Sequence, residues 1–214
     1  MASCVILCAG GFDGLVAPVE KDDYIIAADG GYLHTQALGL TPHCILGDFD
    51  SLGFTPEGAQ VFPVEKDDTD AMLAVRKGLS LGCKRFVIYG ALEGPRLDHT
   101  LAACQTLLFL VKAGAQGILV GKNQTVTTVS GGRLSFPSSA KGTISLFAMG
   151  EPVTGVTLEG LHYTLQNGSL SADFPLGVSN HFTGEKATVT AEQGTLLVFY
   201  DRENGIVWQE KESR

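Results

Sequence analysis

The stretch Tyr24–Gly39, YIIAADGGYLHTQALG, decides the fold. Its first five residues, Tyr24 to Ala28, form a short unbroken apolar run bounded by turn residues, the pattern of a strand buried on both faces. Asp29 and Gly30 then turn the chain. Gly31 to Leu38 reads as a helix, and Gly39 stands just past its last periodic residue, where a glycine in left-handed backbone stops a helix. Working outward, the same unit recurs. Cys4 to Ala9, Cys44 to Leu46 and Phe86 to Tyr89 read as strands, with Ile118 to Val120 a weaker fifth. Helices are predicted over Thr69 to Leu81, stopped by Gly82, and over His99 to Ala113, stopped by Gly114. Asp68 or Thr69 suits the cap of the first of these by accepting from its free N–H groups. The second is apolar almost all round and is expected to lie deep in the fold. Strands alternating with helices imply a parallel sheet covered on both sides.

Past Asn123 the texture changes. Thr, Val, Ser and Gly recur in short alternating runs: Thr125 to Val129, Thr143 to Phe147, Val156 to Leu158, Ala187 to Ala191 and Thr195 to Tyr200. Gly131-Gly132, Asn167-Gly168 and Gln193-Gly194 separate them, and no stretch holds a helical period. Evenly spaced strands of this kind predict a β-sandwich or small barrel. The fold class is therefore α/β: a parallel-sheet α/β domain over residues 1–122, followed by an all-β sandwich domain over residues 123–214. The polar tail after Asp201 is expected to be peripheral.

With 44% hydrophobic and 18% charged residues over 214 positions, the chain has the composition of a globular protein able to bury a core. A net charge of −8 argues against nucleic acid as a partner but allows a small polyphosphate accompanied by a metal ion. Leu101 to Ala113, the longest apolar-rich stretch, is too short to span a bilayer, so no membrane partner is expected. Met1 to Cys4 carries no basic region, which makes a signal peptide an unexpected reading. The five cysteines, Cys4, Cys8, Cys44, Cys83 and Cys104, show no C-x-x-C spacing and mostly lie in apolar runs, where a thiol acts as a small hydrophobe. A reducing cytoplasm is the expected compartment.

The acidic residues of the first domain gather just after its strands. Asp29 follows Tyr24 to Ala28; Asp48 and Asp50 follow Cys44 to Leu46; Glu93, Arg96 and Asp98 follow Phe86 to Tyr89. A fourth cluster, Lys66-Asp67-Asp68-Thr69-Asp70, sits where a helix begins. Open parallel sheets bind ligands in the crevice at the carboxyl ends of their strands. Carboxylates converging there raise one another's pKa unless a cation neutralises them. Oxygen ligands without Cys or His select a hard ion, magnesium first and manganese or calcium next, and magnesium favours sites that combine a few carboxylates with substrate phosphates. Lys66 and Arg96 suit the phosphate oxygens left over. Each piece has a plain alternative: GDFDS as a solvated turn, Asp68 to Asp70 as helix caps, Arg96 and Asp98 as a structural ion pair, His99 as a satisfied buried histidine. Their recurrence after successive strands favours a site. No G-x-x-x-x-G-K-[ST], G-x-G-x-x-G or G-x-S-x-G motif is present, which removes the usual P-loop, dinucleotide and hydrolase readings.

In order and spacing, ADGG at Ala28–Gly31, GDFDS at Gly47–Ser51, KDDTD at Lys66–Asp70 and RLDH at Arg96–His99 resemble the motif set of thiamine pyrophosphokinases. GVT at Gly155–Thr157, GLHY at Gly160–Tyr163 and GVSN at Gly177–Asn180 resemble that family's β-domain. The resemblance implies an ATP- and magnesium-binding catalytic domain over 1–122. Over 123–214 it implies a thiamine-binding and dimerisation domain, with a homodimer holding its active sites at the interface. It further implies magnesium on Asp48, Asp50 and Asp70. Asp29, Gly30, Ser51, Lys66, Asp67, Thr69, Arg96 and His99 would surround ATP. Asp70 and Asp98 would lie near the reacting groups, and Ser179 with Asn180 near thiamine. Two positions depart from the family pattern: Glu93-Gly94-Pro95 stands where paired glycines are more common, and His181 where an acidic residue is common.

The chemistry expected is in-line attack by the thiamine hydroxyl on the β-phosphorus of ATP, with AMP leaving. Arg96 and Lys66 would clamp phosphate, and Asp70 or Asp98 would accept the proton. The alternatives are a pyrophosphokinase for another heterocyclic alcohol such as a hydroxymethylpterin, a non-catalytic thiamine or nucleotide sensor, and a magnesium-dependent phosphohydrolase.

Overall fold

The computed structural model describes residues 3–65 and 67–211, without the side chain of Lys211. The chain divides into two compact units, one up to Lys122 and one from Asn123.

The first unit holds strands β1 (Cys4–Leu7), β2 (Tyr24–Ala28), β3 (Cys44–Gly47), β4 (Gln60–Val61), β5 (Arg85–Tyr89) and β6 (Gln116–Val120), with helices α1 (Gly31–Ala37), α2 (Asp70–Ser80) and α3 (Leu97–Lys112). Its strands run parallel in the order β6-β5-β1-β2-β3-β4. The apolar runs lie where this order needs them: β1 at the centre is buried at every residue, and β2 and β5 at all but their first. Helix α1 packs on β1 and β2, while α2 and α3 pack against each other. Right-handed crossovers running to opposite sides of β1 place α1 on one face and α2 with α3 on the other. Gly31 opens α1 where any Cβ would overlap the Leu7 carbonyl, so helix and central strand approach as closely as backbone allows. Thr69 caps α2, its Oγ1 accepting from Met72 N at 3.2 Å.

One expectation for this unit is corrected. Helix α3 does not lie deep throughout: Ala103, Cys104, Thr106, Leu107 and Leu110 are buried, but Leu97 and Leu101 are exposed. Both exposed leucines lie in the first two turns, ahead of Ala103, where the buried stretch begins.

The second unit comprises β7 (Gln124–Val129), β8 (Gly132–Phe136), β9 (Thr143–Ala148), β10 (Val153–Glu159), β11 (Leu165–Leu170), β12 (Asn180–His181), β13 (Ala187–Ala191), β14 (Leu196–Asp201) and β15 (Glu210–Lys211). Antiparallel pairing gives the orders β12-β9-β14-β7 and β11-β10-β13-β8-β15. Alternate residues of β8, β9 and β13 are buried, as in a sheet with one solvated face. Their inward side chains join one core with Val153, Val156, Leu196 and Tyr200, which makes the unit a sandwich. Phe136 stands edge-on to Tyr200 at 5.2 Å between ring centres. The tail is not merely peripheral. Gln209 accepts from Ser130 N at 2.8 Å and donates to Ser130 O at 2.9 Å, Val207 packs on the core, and β15 adds an edge strand to β8. A polar segment docks here because its amides complete a sheet edge.

Candidate active site

The acidic loops of the first unit leave the carboxyl ends of neighbouring strands, and local backbone geometry aims them. After β2 the chain takes a left-handed turn at Asp29, with φ of 49°. Asp29 N donates to Leu46 O at 2.8 Å, tying this turn to the end of β3. There Gly47 passes so close that a Cβ would lie 3.0 Å from Asp29 N and Cα, which excludes any other residue without a shift. Phe49, also left-handed with φ of 59°, buries its ring and leaves 4% of its surface exposed. The buried ring anchors the loop, and its neighbours Asp48 and Asp50 stand on either side of that anchor.

Asp29, Asp48 and Asp50 converge as a result: each offers a carboxylate oxygen, and these lie within 4.8 Å of one another. Asp29 is 8% exposed; its Oδ2 accepts from Ser51 Oγ at 2.7 Å, while its Oδ1 is buried without a hydrogen-bond partner. Asp50 N donates to Asp48 Oδ1 at 3.4 Å. Three carboxylates packed this closely with one buried oxygen unbonded fit a hard divalent cation, which takes oxygen donors and offsets their repulsion.

Asp70 opens α2 and is not one of the three. It is nevertheless close by. Cys8, just past β1, has its thiol pushed up to about 12 by burial first, then by the charges of Asp70 and Asp29. That thiol stays protonated and is no nucleophile. Thr69 is occupied as a helix cap, and Asp68 pairs with Arg76 at 2.9 Å. Asp67 is exposed, and Lys66 lies outside the described residues. Gly30 is buried beside Ser51, whose Oγ would lie 3.3 Å from a Cβ there.

Arg96, Asp98 and His99 stand at the start of α3, all exposed. Arg96 Nη2 donates to Asp98 Oδ2 at 2.5 Å and Nε to Oδ1 at 3.3 Å. This bonding holds the Asp98 carboxyl below, and the Arg96 guanidinium above, their ordinary ranges. His99 N donates to Arg96 O, closing the first turn.

In the second unit Ser179 takes a left-handed turn, with φ of 61°, and stays exposed. Asn180 is 3% exposed and its amide ties the local backbone together: Oδ1 accepts from Tyr163 N and His181 N at 2.9 Å, and Nδ2 donates to Tyr163 O at 2.7 Å. It therefore holds the Tyr163 backbone, leaving Ser179 and the Tyr163 ring as the groups presented to solvent.

Sequence reasoning gathered the acids but missed two features: Asp29 as the third member of the carboxylate group, and Phe49 as its anchor. A lone aromatic residue between two acids was the available signal for the second.

Comparison with known proteins adds a second line of support. The family model described as "Thiamin pyrophosphokinase, catalytic domain" matches residues 17–119, and that described as "Thiamin pyrophosphokinase, vitamin B1 binding domain" matches residues 133–196. A curated relative, the thiamine pyrophosphokinase of Bacillus subtilis (strain 168), is 27% identical over 205 residues, spanning 90% of this chain and 95% of the relative. The crystal structure of a thiamine pyrophosphokinase from Bacillus subtilis superposes with a TM-score of 0.79 at 26% identity, covering 93% of this chain and 99% of that one. A thiamin pyrophosphokinase family protein from Enterococcus faecalis gives 0.76 at 28% identity, with the same coverage.

Proposed function

Because this chain belongs to the thiamine pyrophosphokinase family, we propose that it moves the pyrophosphoryl group of ATP onto the hydroxyl of thiamine, giving thiamine diphosphate and AMP. It is an ATP-dependent transferase of the kinase type. The observation that carries the chemical reading is the group formed by Asp29, Asp48 and Asp50 at the ends of β2 and β3. Asp48 and Asp50, flanked by Asp29 and Asp70, would hold magnesium, which when bound offsets negative charge on phosphate oxygens. The first unit would bind ATP and the metal, and the second thiamine.

The chain's own residues do the rest. Thiamine's hydroxyl oxygen attacks the β-phosphorus of ATP in line, the bond to the α-phosphate oxygen breaks, and AMP departs with that oxygen. Such transfers rest on positioning and charge stabilisation. Arg96, held beside Asp98 until phosphate competes for its guanidinium, offers a bidentate clamp, joined by Lys66, Ser51, Thr69 and His99 around the nucleotide. The hydroxyl proton passes to a carboxylate. Asp70 and Asp98 are the two candidates; Arg96 depresses the Asp98 carboxyl only until phosphate draws the guanidinium away. Ser179 would contact thiamine directly, and Asn180 would act through the Tyr163 backbone.

Homodimerisation in the cytoplasm completes the proposal. Phe174, Leu176 and Val178 expose apolar surface next to Ser179, as an interface bordering the thiamine site would. All five cysteines are free, as in a reducing compartment. No helix among the described residues is long and apolar enough to cross a membrane.

The test is AMP release from ATP and magnesium with thiamine present, absent, or replaced by a hydroxymethylpterin. AMP formed only with thiamine is expected. AMP with the pterin alone moves the acceptor; phosphate release without acceptor points to a hydrolase; binding without AMP points to a sensor.

A further inference from the structure

Glu93 stands at the one place in the first unit's sheet where the chain reverses its direction of travel. From β1 the chain proceeds to β2 on one side, and from β5 to β6 on the other. Open parallel sheets take ligands in the crevice at such a point. Here the loops after β1 and β5 are joined backbone to backbone: Cys8 N donates to Tyr89 O at 2.9 Å, Gly10 N to Gly90 O at 2.8 Å and Gly11 N to Glu93 O at 3.1 Å.

The Glu93 side chain then reaches toward the end of β6. Its Oε1 accepts from Lys122 N at 2.5 Å. Glycines line its path. A Cβ on Gly11 would lie 3.1 Å from the Glu93 Cβ, and one on Gly121 would lie 2.9 Å from its carboxyl carbon and 3.0 Å from Oε2. Neither glycine has a side chain to donate a hydrogen bond. Oε2 is buried and receives none, although the residue as a whole keeps partial exposure. A carboxylate oxygen in that state awaits a donor.

Position says which donor. Asp29 follows β2, and the Glu93 carboxylate lies at Lys122 just past β6, three strand spacings away, about 14 Å at roughly 4.8 Å per spacing. A molecule of about that length with its reacting end at the acid group would bring its far ring to Glu93. Both proposed substrates end in a heteroaromatic ring with an exocyclic amino group, adenine in ATP and aminopyrimidine in thiamine. We infer that Glu93 Oε2 accepts a hydrogen bond from the exocyclic amino group of a substrate's ring, making Glu93 a specificity-determining residue. This rests on the function proposed above.

Glu93→Gln separates this role from the backbone tie. The glutamine keeps an acceptor for Lys122 N but sets an amide NH2 where Oε2 stood, so donor faces donor. The expected result is an unchanged Tm, a kcat within about threefold of wild type, and a KM raised about ten- to hundredfold for one substrate. The arm that responds, ATP or thiamine, identifies the ring. On that arm, wild type should discriminate by a similar factor against the matching analogue without the amino group, inosine triphosphate for ATP or the ring-oxo analogue for thiamine. The variant should not.

Glu93→Gln with both KM values at wild type overturns the inference, as does a parallel fall in Tm and in both affinities. Should the variant fail to fold, equal use of amino and oxo analogues by wild type on both arms overturns it alone. A wild-type protein that releases no AMP refutes the transfer reaction instead. The ring contact is then judged by calorimetric titration of ATP and of thiamine into both proteins, with the same factor expected.

Discussion

Asp50→Asn is expected to lower kcat at least about a hundredfold without loosening the fold. The side chain keeps its size, and Asp50 is exposed, with only a long 3.4 Å bond from its own backbone N–H to Asp48. Removing one of three carboxylates whose oxygens lie within 4.8 Å relieves like-charge repulsion, so Tm should hold or rise slightly. What is lost is a ligand charge for the divalent cation, and with it the stabilisation of charge on the transferring phosphates. Steady-state kinetics at saturating magnesium, with a thermal melt alongside, measure both. A residual kcat within tenfold of wild type would remove Asp50 from the metal set.

The second large effect is on stability. Asn180→Ala is expected to destabilise the second unit by about 3 kcal/mol, because Tyr163 N–H, Tyr163 C=O and His181 N–H all lose a partner at a site only 3% exposed. For a unit of this size the melting transition should fall by roughly 10–20 °C. KM for thiamine should also rise, since Ser179 and Tyr163 lose their support, while KM for ATP should move little. Asn180→Asp keeps the acceptor for both N–H groups but faces Tyr163 O with a second oxygen, so it should recover only part of the loss. A melt of Asn180→Ala within about 3 °C of wild type would contradict the clamp.

How far the chain could be read in advance depended on burial. Strands buried on both faces were legible nearly to the residue: Tyr24–Ala28 has the bounds its sequence indicates, and β1, β3, β5 and β6 differ by a residue or two. Edge strands, and strands that contain turn residues, were not. Gln60–Val61 is two exposed residues, with no apolar run to reveal it. Gly131-Gly132 and Asn167-Gly168 read as separators, yet Gly132 opens β8 and Asn167-Gly168 lies inside β11. Asn167 sits there at φ of 49°, and the β10–β11 ladder shifts register opposite it, so a bulge absorbs residues that normally end a strand. The site divides the same way. Its acids were visible from their spacing after strands, because topology alone carries those loops to one edge. Their final grouping was not, since it depends on left-handed turns at Asp29 and Phe49 that composition does not encode. Glu93 was visible as an acid, but its buried unpartnered oxygen follows from a reach to Lys122 that only the packed loops define.

The most direct test of the account is the fate of a label in the terminal phosphate of ATP, followed in one turnover with thiamine and magnesium. Transfer of the pyrophosphoryl group as a unit puts the label in thiamine diphosphate, with AMP formed in equal amount. Label released as inorganic phosphate, or thiamine monophosphate formed beside ADP, would contradict it.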